Sequence, residues 1–561
     1  DASGNQNNWE ANNINSNAES ETTYDLMKDT PSLVDENAGN FCTLNPLDKY
    51  SSAVIAEGNL KIGANNNSWT NQARSTFFVS SGKWYWEVTL SPGTGGFWKA
   101  GIRDAAAALT ATTTTSTGYE YVAFNGNKNA PGVYSSYGSA LVNGDVLGFA
   151  LDMDAGTITV YKNNTSLGVM FSGLSGSYSP TVSMYNSFIS LNFGQRPFKY
   201  TPPSGFLKLN TFNLPDSAIE KGDEYFTPVL YTGNNASGRN IPTGFPGGWT
   251  WIKNRNAANS HTLSDVVRGD GKTLFTNATN AEVDYGSNGI DLVSDGFDVT
   301  HSATNNLFNV TGRTYVAWNW RAGSTATNSA GANGATIAST YSANTTSGFS
   351  VVSWSGNSTN GATVGHLLGA APSLIITKCR SHATSWVVGI GGISGFGVND
   401  YLTINNTSQK NASSTFYQAY SANTFQVGVS SADEMNKTGR TYISYCFAEV
   451  PGYSAIGSYT GNGSADGTFV YTGFRPAWIL IKQTNGGSFN WNLIDTSRSP
   501  FNTADDLLAP NANNAEVVSG FVDAVSNGFK CRNSSAYVNG SGSTYIYMAF
   551  AENPFKNSNA R

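Results

Sequence analysis

The sequence predicts an all-β protein: one β-sandwich followed by three homologous β-sandwich domains in tandem. Three observations lead there. Helical periodicity is almost absent, and short runs of β-branched and aromatic residues alternate with polar ones between N-G, S-G, T-G and G-G punctuation. Nearly the same strand is written three times, as TGRTYVAWNW (Thr311–Trp320), TGRTYISYCF (Thr438–Phe447) and SGSTYIYMAF (Ser541–Phe550). The region ahead of them, roughly 40–200, carries hairpin signals of a different kind.

Composition bounds the function. A chain of 561 residues suggests about four domains. Charged residues make up only 12%, about half the usual share, while 39% hydrophobic residues suffice for real cores and exclude a disordered chain. The net charge of −6, without clusters of Lys and Arg, offers no footprint for nucleic acid. No apolar run approaches the ~20 residues of a membrane-spanning helix, so no membrane insertion is expected. Four cysteines (Cys42, Cys379, Cys446, Cys531) are scattered; Cys379 and Cys446 could pair if their strands adjoin, but all four read as free, half-buried thiols. The chain opens at Asp1 without a signal-peptide pattern, which fits a processed product or the ordered part of a longer one.

Residues 1–40 read as an attachment or linker segment and 41–208 as the first sandwich. In the latter, GKWYWEVTL (Gly82–Leu90) is a strand with Trp84, Trp86 and Val88 on one face. Strand Val146–Leu151, a turn at Asp154–Gly156, strand Thr157–Tyr161 and a second turn at Asn163-Asn164 form a hairpin series. SLNFGQRPF (Ser190–Phe198) closes the unit. The Y-W-E-V strand, the G-D-x-[IV]-G strand, the D-x-x-x-G-x-[IL]-x-[FV]-x-x-N turn and the N-F-G strand together resemble the SPRY domain family. Asn164 stands where that family usually has Gly, and Asn tolerates a left-handed turn. The resemblance implies a bent β-sandwich used for protein recognition.

The repeats follow, expected at 209–323, 345–451 and 452–561 with a linker at 324–344. Upstream of each tetrad a strand ends in lysine: WTWIK (Trp249–Lys253), LIITK (Leu374–Lys378) and WILIK (Trp478–Lys482). From that lysine to the Thr of the Thr-Tyr pair (253 to 314, 378 to 441, 482 to 544) the distances are 61, 63 and 62 residues. Still further upstream, YTGN, WSGN and YTGN place Gly233, Gly356 and Gly461 at 20, 22 and 21 residues before the lysines at 253, 378 and 482. SDGF (Ser294–Phe297) and SNGF (Ser526–Phe529) recur, more weakly, as ANTF (Ala422–Phe425). Markers in fixed order define three copies of one domain, each of about 100 residues and long enough for its own core, so the array reads as a string of domains. In the last strand the face with Val316, Trp318 and Trp320 is expected to pack on a partner sheet, leaving Tyr315, Ala317 and Asn319 for a neighbour or solvent. The repeated lysines are expected to snorkel or pair with carboxylates rather than meet a ligand.

A SPRY-type unit followed by FGQRPFKYTPPSGFLKLNT (Phe193–Thr211) and Y-T-G-N domains ending AFAENPF (Ala549–Phe555) resembles tail-fibre and related appendage proteins of tailed bacteriophages. TYDLMKDTPS (Thr23–Ser32) and TLNPLDK (Thr43–Lys49) fit the same group. The resemblance implies a structural, host-receptor-binding protein at the virion surface. Its implied partners are other virion proteins and a host surface glycan or protein. It also implies a homo-oligomer, with a trimer favoured; without heptads, a trimer would form through β-domain faces. A head decoration protein without a receptor and a polysaccharide depolymerase are the alternatives.

Little chemistry is legible. None of the four histidines (His261, His301, His366, His382) has a second at metal spacing, no nucleophile elbow or P-loop occurs, and His366 reads as a local turn or cap residue. Asp152 and Asp154 are explained by the hairpin, and Asp291, Asp295 and Asp298 surround a turn without forming a recognised metal loop. The expectation is therefore no catalytic residue, no metal and no cofactor. Binding is assigned to loop aromatics of the first sandwich, Trp98, Tyr119, Tyr134 and Tyr137, whose flat faces suit sugar rings or protein loops, while Tyr121 is expected to face the core.

Overall fold

The computed structural model describes residues 39–557 apart from 51, 64–68, 70, 91–96, 108, 110–116 and 303–305. The expected attachment segment and its motif at 23–32 lie outside the described residues, save for Gly39 and Asn40. Among the described residues the regular structure is all strand apart from three single-turn 3-10 helices. The chain divides into two compact units, Asp1–Pro215 and Asp216–Arg561.

The first unit is a sandwich of two sheets, antiparallel except where Leu207–Lys208 pairs in parallel with Lys83–Leu90. One runs in the order Leu44–Lys49, Asn71–Ser75, Tyr178–Met184, Trp98–Asp104, Gly118–Val122, Asn127–Ala130, Val133–Ser136. The other centres on Lys83–Leu90, flanked by Val146–Asp152 and Phe188–Asn192. The hairpin series forms as read: Val146–Asp152 pairs with Thr157–Lys162, which turns into Thr165–Ser172 through Asn163 and Asn164 at φ 47° and 67°. Both asparagines are thus left-handed, the geometry a two-residue hairpin turn demands. Trp84, Trp86 and Val88 are buried, but so are Tyr85 and Glu87 on the opposite face. The closing segment explains this. Glu87 accepts hydrogen bonds from the backbone N–H groups of Lys199 (2.8 Å) and Tyr200 (2.9 Å), which satisfy a carboxylate that burial would otherwise penalise.

In the second unit each copy pairs a main sheet, which holds the tetrad strand, with a second sheet that is smaller in the first two copies and equal in the third. The tetrad strand lies between the Y-T-G-N strand and the lysine strand in every copy: Thr314–Trp320 between Phe226–Thr232 and Trp249–Asn254, Thr441–Phe447 between Phe349–Ser355 and Leu374–Cys379, and Thr544–Pro554 between Ser454–Thr460 and Phe474–Gln483. Residues 324–344, expected as a linker, instead supply strands Thr325–Asn328 and Ser339–Asn344 to the edge of the second copy's main sheet. Ser339–Asn344 pairs with Phe349–Ser355 and Thr325–Asn328 pairs outside it, and their small polar composition suits an edge as well as a linker.

The faces of the tetrad strand are used the other way round from expectation. Tyr315 and Ala317 point into the first copy's own sandwich, as do Tyr442 and Cys446 in the second and Tyr545, Tyr547 and Ala549 in the third. Val316, Trp318 and Trp320 join Ile443, Tyr445, Phe447, Ile546, Met548 and Phe550 in a single core that all three copies share. At its centre Trp249 stacks on Tyr445 at 4.6 Å, Trp320 meets Trp478 edge-on at 5.5 Å, and Phe447 meets Phe550 at 6.1 Å. Each buried indole removes about 150–250 Å² from water, or roughly 4–6 kcal/mol of gross transfer free energy before conformational entropy is set against it. The array is therefore more than a string: each copy has its own core, and the three close around another.

Three recurring details are structural. Gly233, Gly356 and Gly461 leave no room for a Cβ, which would come within 2.1, 2.3 and 2.4 Å of the carbonyl oxygens of Val310, Lys437 and Gly540. Buried Asn309, Asn436 and Asn539 each accept a hydrogen bond from the backbone N–H of the Y-T-G-N asparagine at 3.1, 2.9 and 3.0 Å, pinning that loop. The repeated lysines neither snorkel nor meet a carboxylate. Lys253, Lys378 and Lys482 are fully buried, and their ammonium groups donate to carbonyls: Asn254 and Ala257, Cys379 and His382, and Thr407 and Phe489. The four cysteines are free and buried. The strands of Cys379 and Cys446 do adjoin, but the register sets Cys446 opposite Ile375 and Cys379 opposite Tyr442.

Candidate functional site: an aromatic patch on the SPRY-like unit

Four aromatic residues meet where strands of the first unit's seven-stranded sheet begin or end. Trp69 precedes Asn71–Ser75, Phe97 precedes Trp98–Asp104, Phe124 follows Gly118–Val122 and Tyr185 follows Tyr178–Met184. The register brings these termini to one edge, since Met184 pairs with both Asn71 and Trp98 and Lys99 pairs with Val122. Phe97 lies 5.3 Å from Phe124 and 6.1 Å from Tyr185, and Trp69 lies 5.6 Å from Tyr185 and 6.3 Å from Phe124. Phe97 and Phe124 are exposed, at 49% and 37%. Beneath them the Lys99 ammonium sits 4.8 Å from the centre of the Trp69 ring, and burial holds its pKa below the ordinary lysine value. The Phe97 backbone is fixed by two hydrogen bonds to its carbonyl, from Tyr185 N–H and the Ser187 hydroxyl, both at 2.9 Å. The result is a set of apolar faces presented by loops on a rigid sheet, with one cation in support.

The expected binding residues divide. Trp98 is corrected: it is 0% exposed and has no face to offer. Successive side chains of a strand point to opposite sides, so Phe97 faces out and Trp98 faces in. Tyr119 is half-buried at the opposite end of its strand, packed edge-on against Phe171 (5.1 Å) and Tyr178 (5.9 Å). Tyr137 is half-buried, donates its hydroxyl to the Gly168 carbonyl, and has its pKa pushed up to about 12 by burial. Tyr134 alone adjoins the patch. It is 42% exposed on the edge strand Val133–Ser136, and its hydroxyl accepts a 2.9 Å hydrogen bond from Asn125, the neighbour of Phe124. Tyr121 is buried, as expected.

Asp152, Asp154 and His366 make local contacts within their own turns and hairpin. Asp152 pairs with Lys83 at 2.9 Å and accepts from Ala155 N–H, while Asp154 accepts from Gly82 N–H at 2.7 Å. His366 accepts from Leu368 N–H at 3.2 Å in its own turn and lies 3.1 Å from the Ser421 carbonyl; burial lowers its pKa to about 4. Asp291 lies opposite Asp298 across two strands, and its pKa is raised by burial and by the neighbouring charges of Asp270 and Asp298. Among the described residues no group of three or more His, Cys, Asp and Glu is arranged to hold a metal.

The two units match two families. Residues 83–196 match the SPRY domain, so the first unit contains a SPRY-type sandwich. The chain as a whole belongs to the family described as a domain of unknown function, DUF7483, which matches residues 221–554, more than half its length and all three copies. Similar curated proteins include the Arabidopsis thaliana E3 ubiquitin-protein ligase RKP (33% identical over 151 residues) and the Xenopus laevis ATP-dependent RNA helicase DDX1 (27% over 182 residues). The matches cover 25% and 32% of this chain but only 11% and 24% of those proteins. Similar solved structures include the SPRY domain of human HERC1 (21% identity, TM-score 0.23, 26% of this chain and 96% of that one) and the TRIM65 PSpry domain (15%, 0.24, 27% and 90%).

Proposed function

We propose that this chain is a non-catalytic recognition protein whose SPRY-type unit binds its target through the Phe97–Phe124 patch, with the three-copy block as a rigid platform. One observation carries the reading: four strand termini deliver four rings to one place, two of them exposed. Aromatic anchors on loops held by a scaffold supply binding energy at small entropic cost. The order of motifs, with its resemblance to phage appendages, supports a role at a virion surface as a tail-fibre component that recognises a host glycan or protein. Asp152 and Asp154, held in a turn, favour binding over hydrolysis. A homotrimer would have to use surfaces other than the tetrad faces, which are spent within the chain.

The test pairs location with contact. Antibody labelling of native particles, imaged by electron microscopy, should mark tail-fibre tips, and label over the head would refute the receptor role. Phe97→Ala with Phe124→Ala should lower binding to host cells at least tenfold with unchanged melting, because exposed rings contribute little to the core. Unchanged binding would remove the patch from the mechanism.

A further inference from the structure

The ring of three copies closes between the third copy and the first, and a cavity of about 350 Å³ opens at that seam. Its walls come from the first copy's Asp223 and strand start at Phe226, and from Arg475, Thr496, Ser497, Glu552 and Asn553 of the third. Repeat alignment shows what is unusual there. Thr496 and Ser497 stand where the first copy has Val266 and Val267 and the second has Gly391 and Gly392. Asn553 replaces Gly323 and Val450, and Arg475 replaces Pro246 and Ala371. At the first copy's position Val267 packs against the shared core, as does Val450 at the second copy's. One seam has thus exchanged apolar and glycine positions for hydroxyls, an amide and a guanidinium.

The chemistry of the lining selects its occupant. Arg475 is almost wholly buried and forms an ion pair with Glu552, leaving Asp223 exposed at the rim. An anion would meet two carboxylates, a cation would meet the guanidinium, and an apolar ligand would strand the hydroxyl and amide groups without partners. A neutral polyhydroxylated molecule satisfies mixed donors and acceptors at once, and the volume, at the low end for ligand sites, suits a single ring. We propose that this seam binds one neutral sugar residue, at a site separate from the SPRY-type patch and independent of it. A single ring makes few contacts and binds weakly, at about millimolar, so useful affinity would come from several chains acting together.

The experiment is saturation-transfer NMR on the full chain with glucose, galactose, mannose and N-acetylglucosamine, each at about 10 mM to match that affinity. At least one sugar should receive saturation. The signal should vanish in Ser497→Trp, which fills the mouth, fall several-fold in Thr496→Val, which removes one hydroxyl at constant volume, and persist in the Phe97→Ala, Phe124→Ala variant. Thr496→Val carries the test if Ser497→Trp does not fold. No transfer from any neutral sugar, transfer unchanged in both seam variants, or loss in the patch variant would each overturn the proposal. So would saturation of acetate or tetramethylammonium probes, lost in the seam variants, in place of the sugars.

Discussion

The three junctions of the ring are built on one plan and sealed in two ways. In each, one copy gives a backbone N–H to the loop that follows the next copy's lysine strand: Glu282 to Arg380 (2.8 Å), Lys410 to Thr484 (3.0 Å) and Glu516 to Arg255 (2.7 Å). Two junctions add a buried ionic lock. Between the first and second copies Arg268 pairs with Asp265 at 2.5 Å, Tyr445 donates to Asp265 at 2.8 Å, and Glu282 clasps Arg380 at 2.9 Å. Between the third and first, Arg498 pairs with Asp495 at 2.6 Å, Trp318 donates to Asp495 at 2.8 Å, and Glu516 clasps Arg255 at 2.7 Å. Between the second and third the same positions hold Ile390, Ile393 and Met548, all in the shared core. Lys410, in the place of the two glutamates, pairs instead with Asp400 of its own copy at 2.9 Å.

Closure therefore does not require the ions. Their use is selective. Homologous copies could close in either order, and the reverse order would set Met548 and Thr484 opposite Asp265 and Glu282, forfeiting the hydrogen bond from Tyr445 and the ion pair with Arg380 that cross this junction. The largest expected effect tests this. Asp265→Ala removes the nearest counter-charge of a buried guanidinium, leaving it Glu282 at 3.4 Å, and should cost about 3 kcal/mol, read by urea unfolding of the second unit. Asp265→Ile with Arg268→Ile and Tyr445→Met copies the apolar junction and should restore most of that loss. If the triple variant is as unstable as the single one, the two kinds of junction are not interchangeable.

Much of this architecture was legible and some was inverted, for physical reasons. Constant spacing exposes a repeat because homologous strands keep their lengths, so the copies and their order could be read directly. Alternation defines two faces of Thr314–Trp320 but not which meets the copy's own sandwich, because Tyr315 with Ala317 is as buriable as Val316 with Trp318. The same ambiguity at single-residue scale put Trp98 in the binding site instead of Phe97. The pinning asparagines were available in the shared N-x-[ST]-G-x-T-Y spacing and passed unread. The D-x-x-R locks were hidden by their absence from the second copy, since a feature present in two copies of three does not look like a repeat.

A second expectation concerns what the three copies hold in common. Burial lowers the pKa of Lys253, Lys378 and Lys482 to about 8 each. Above pH 8 the folded chain releases these protons while the unfolded chain, with ordinary lysines, keeps them. The unfolded state then binds more protons, so stability should rise with pH from about 8, by at most about 1.4 kcal/mol per pH unit for each lysine. The window closes near pH 9, where the thiols of Cys446 and Cys531, raised by burial, begin to favour unfolding, followed by the buried tyrosines. Chemical unfolding of the second unit at pH 7.5 to 9 should show the rise, and Lys253→Met should remove about a third of its slope. A flat profile would mean that the carbonyl cages hold the ammonium forms without penalty.

The smallest effect separates the first copy from the third on their minor sheets. Asp291 faces Asp298 across two strands in the first copy, and at the aligned positions Asp523 faces Lys530 in the third. Like charges in direct cross-strand register repel, whereas opposite charges there contribute roughly 0.2–1 kcal/mol. Lys530 also pairs with Asp466 at 2.8 Å, and Asp523 with Arg532, so the third copy's pair belongs to a network. The first copy has instead a carboxyl at Asp291 whose pKa is raised by burial and by two neighbouring carboxylates. Asp291→Lys, which leaves intact the 3.0 Å hydrogen bond from Asn240 to Asp298, should raise the melting temperature slightly at neutral pH and low salt. The gain should shrink at about 1 M salt, where screening reaches about 3 Å, because both ends of the new pair are near solvent. A gain that salt leaves untouched would mean that packing of the longer side chain, not charge, distinguishes the two sheets.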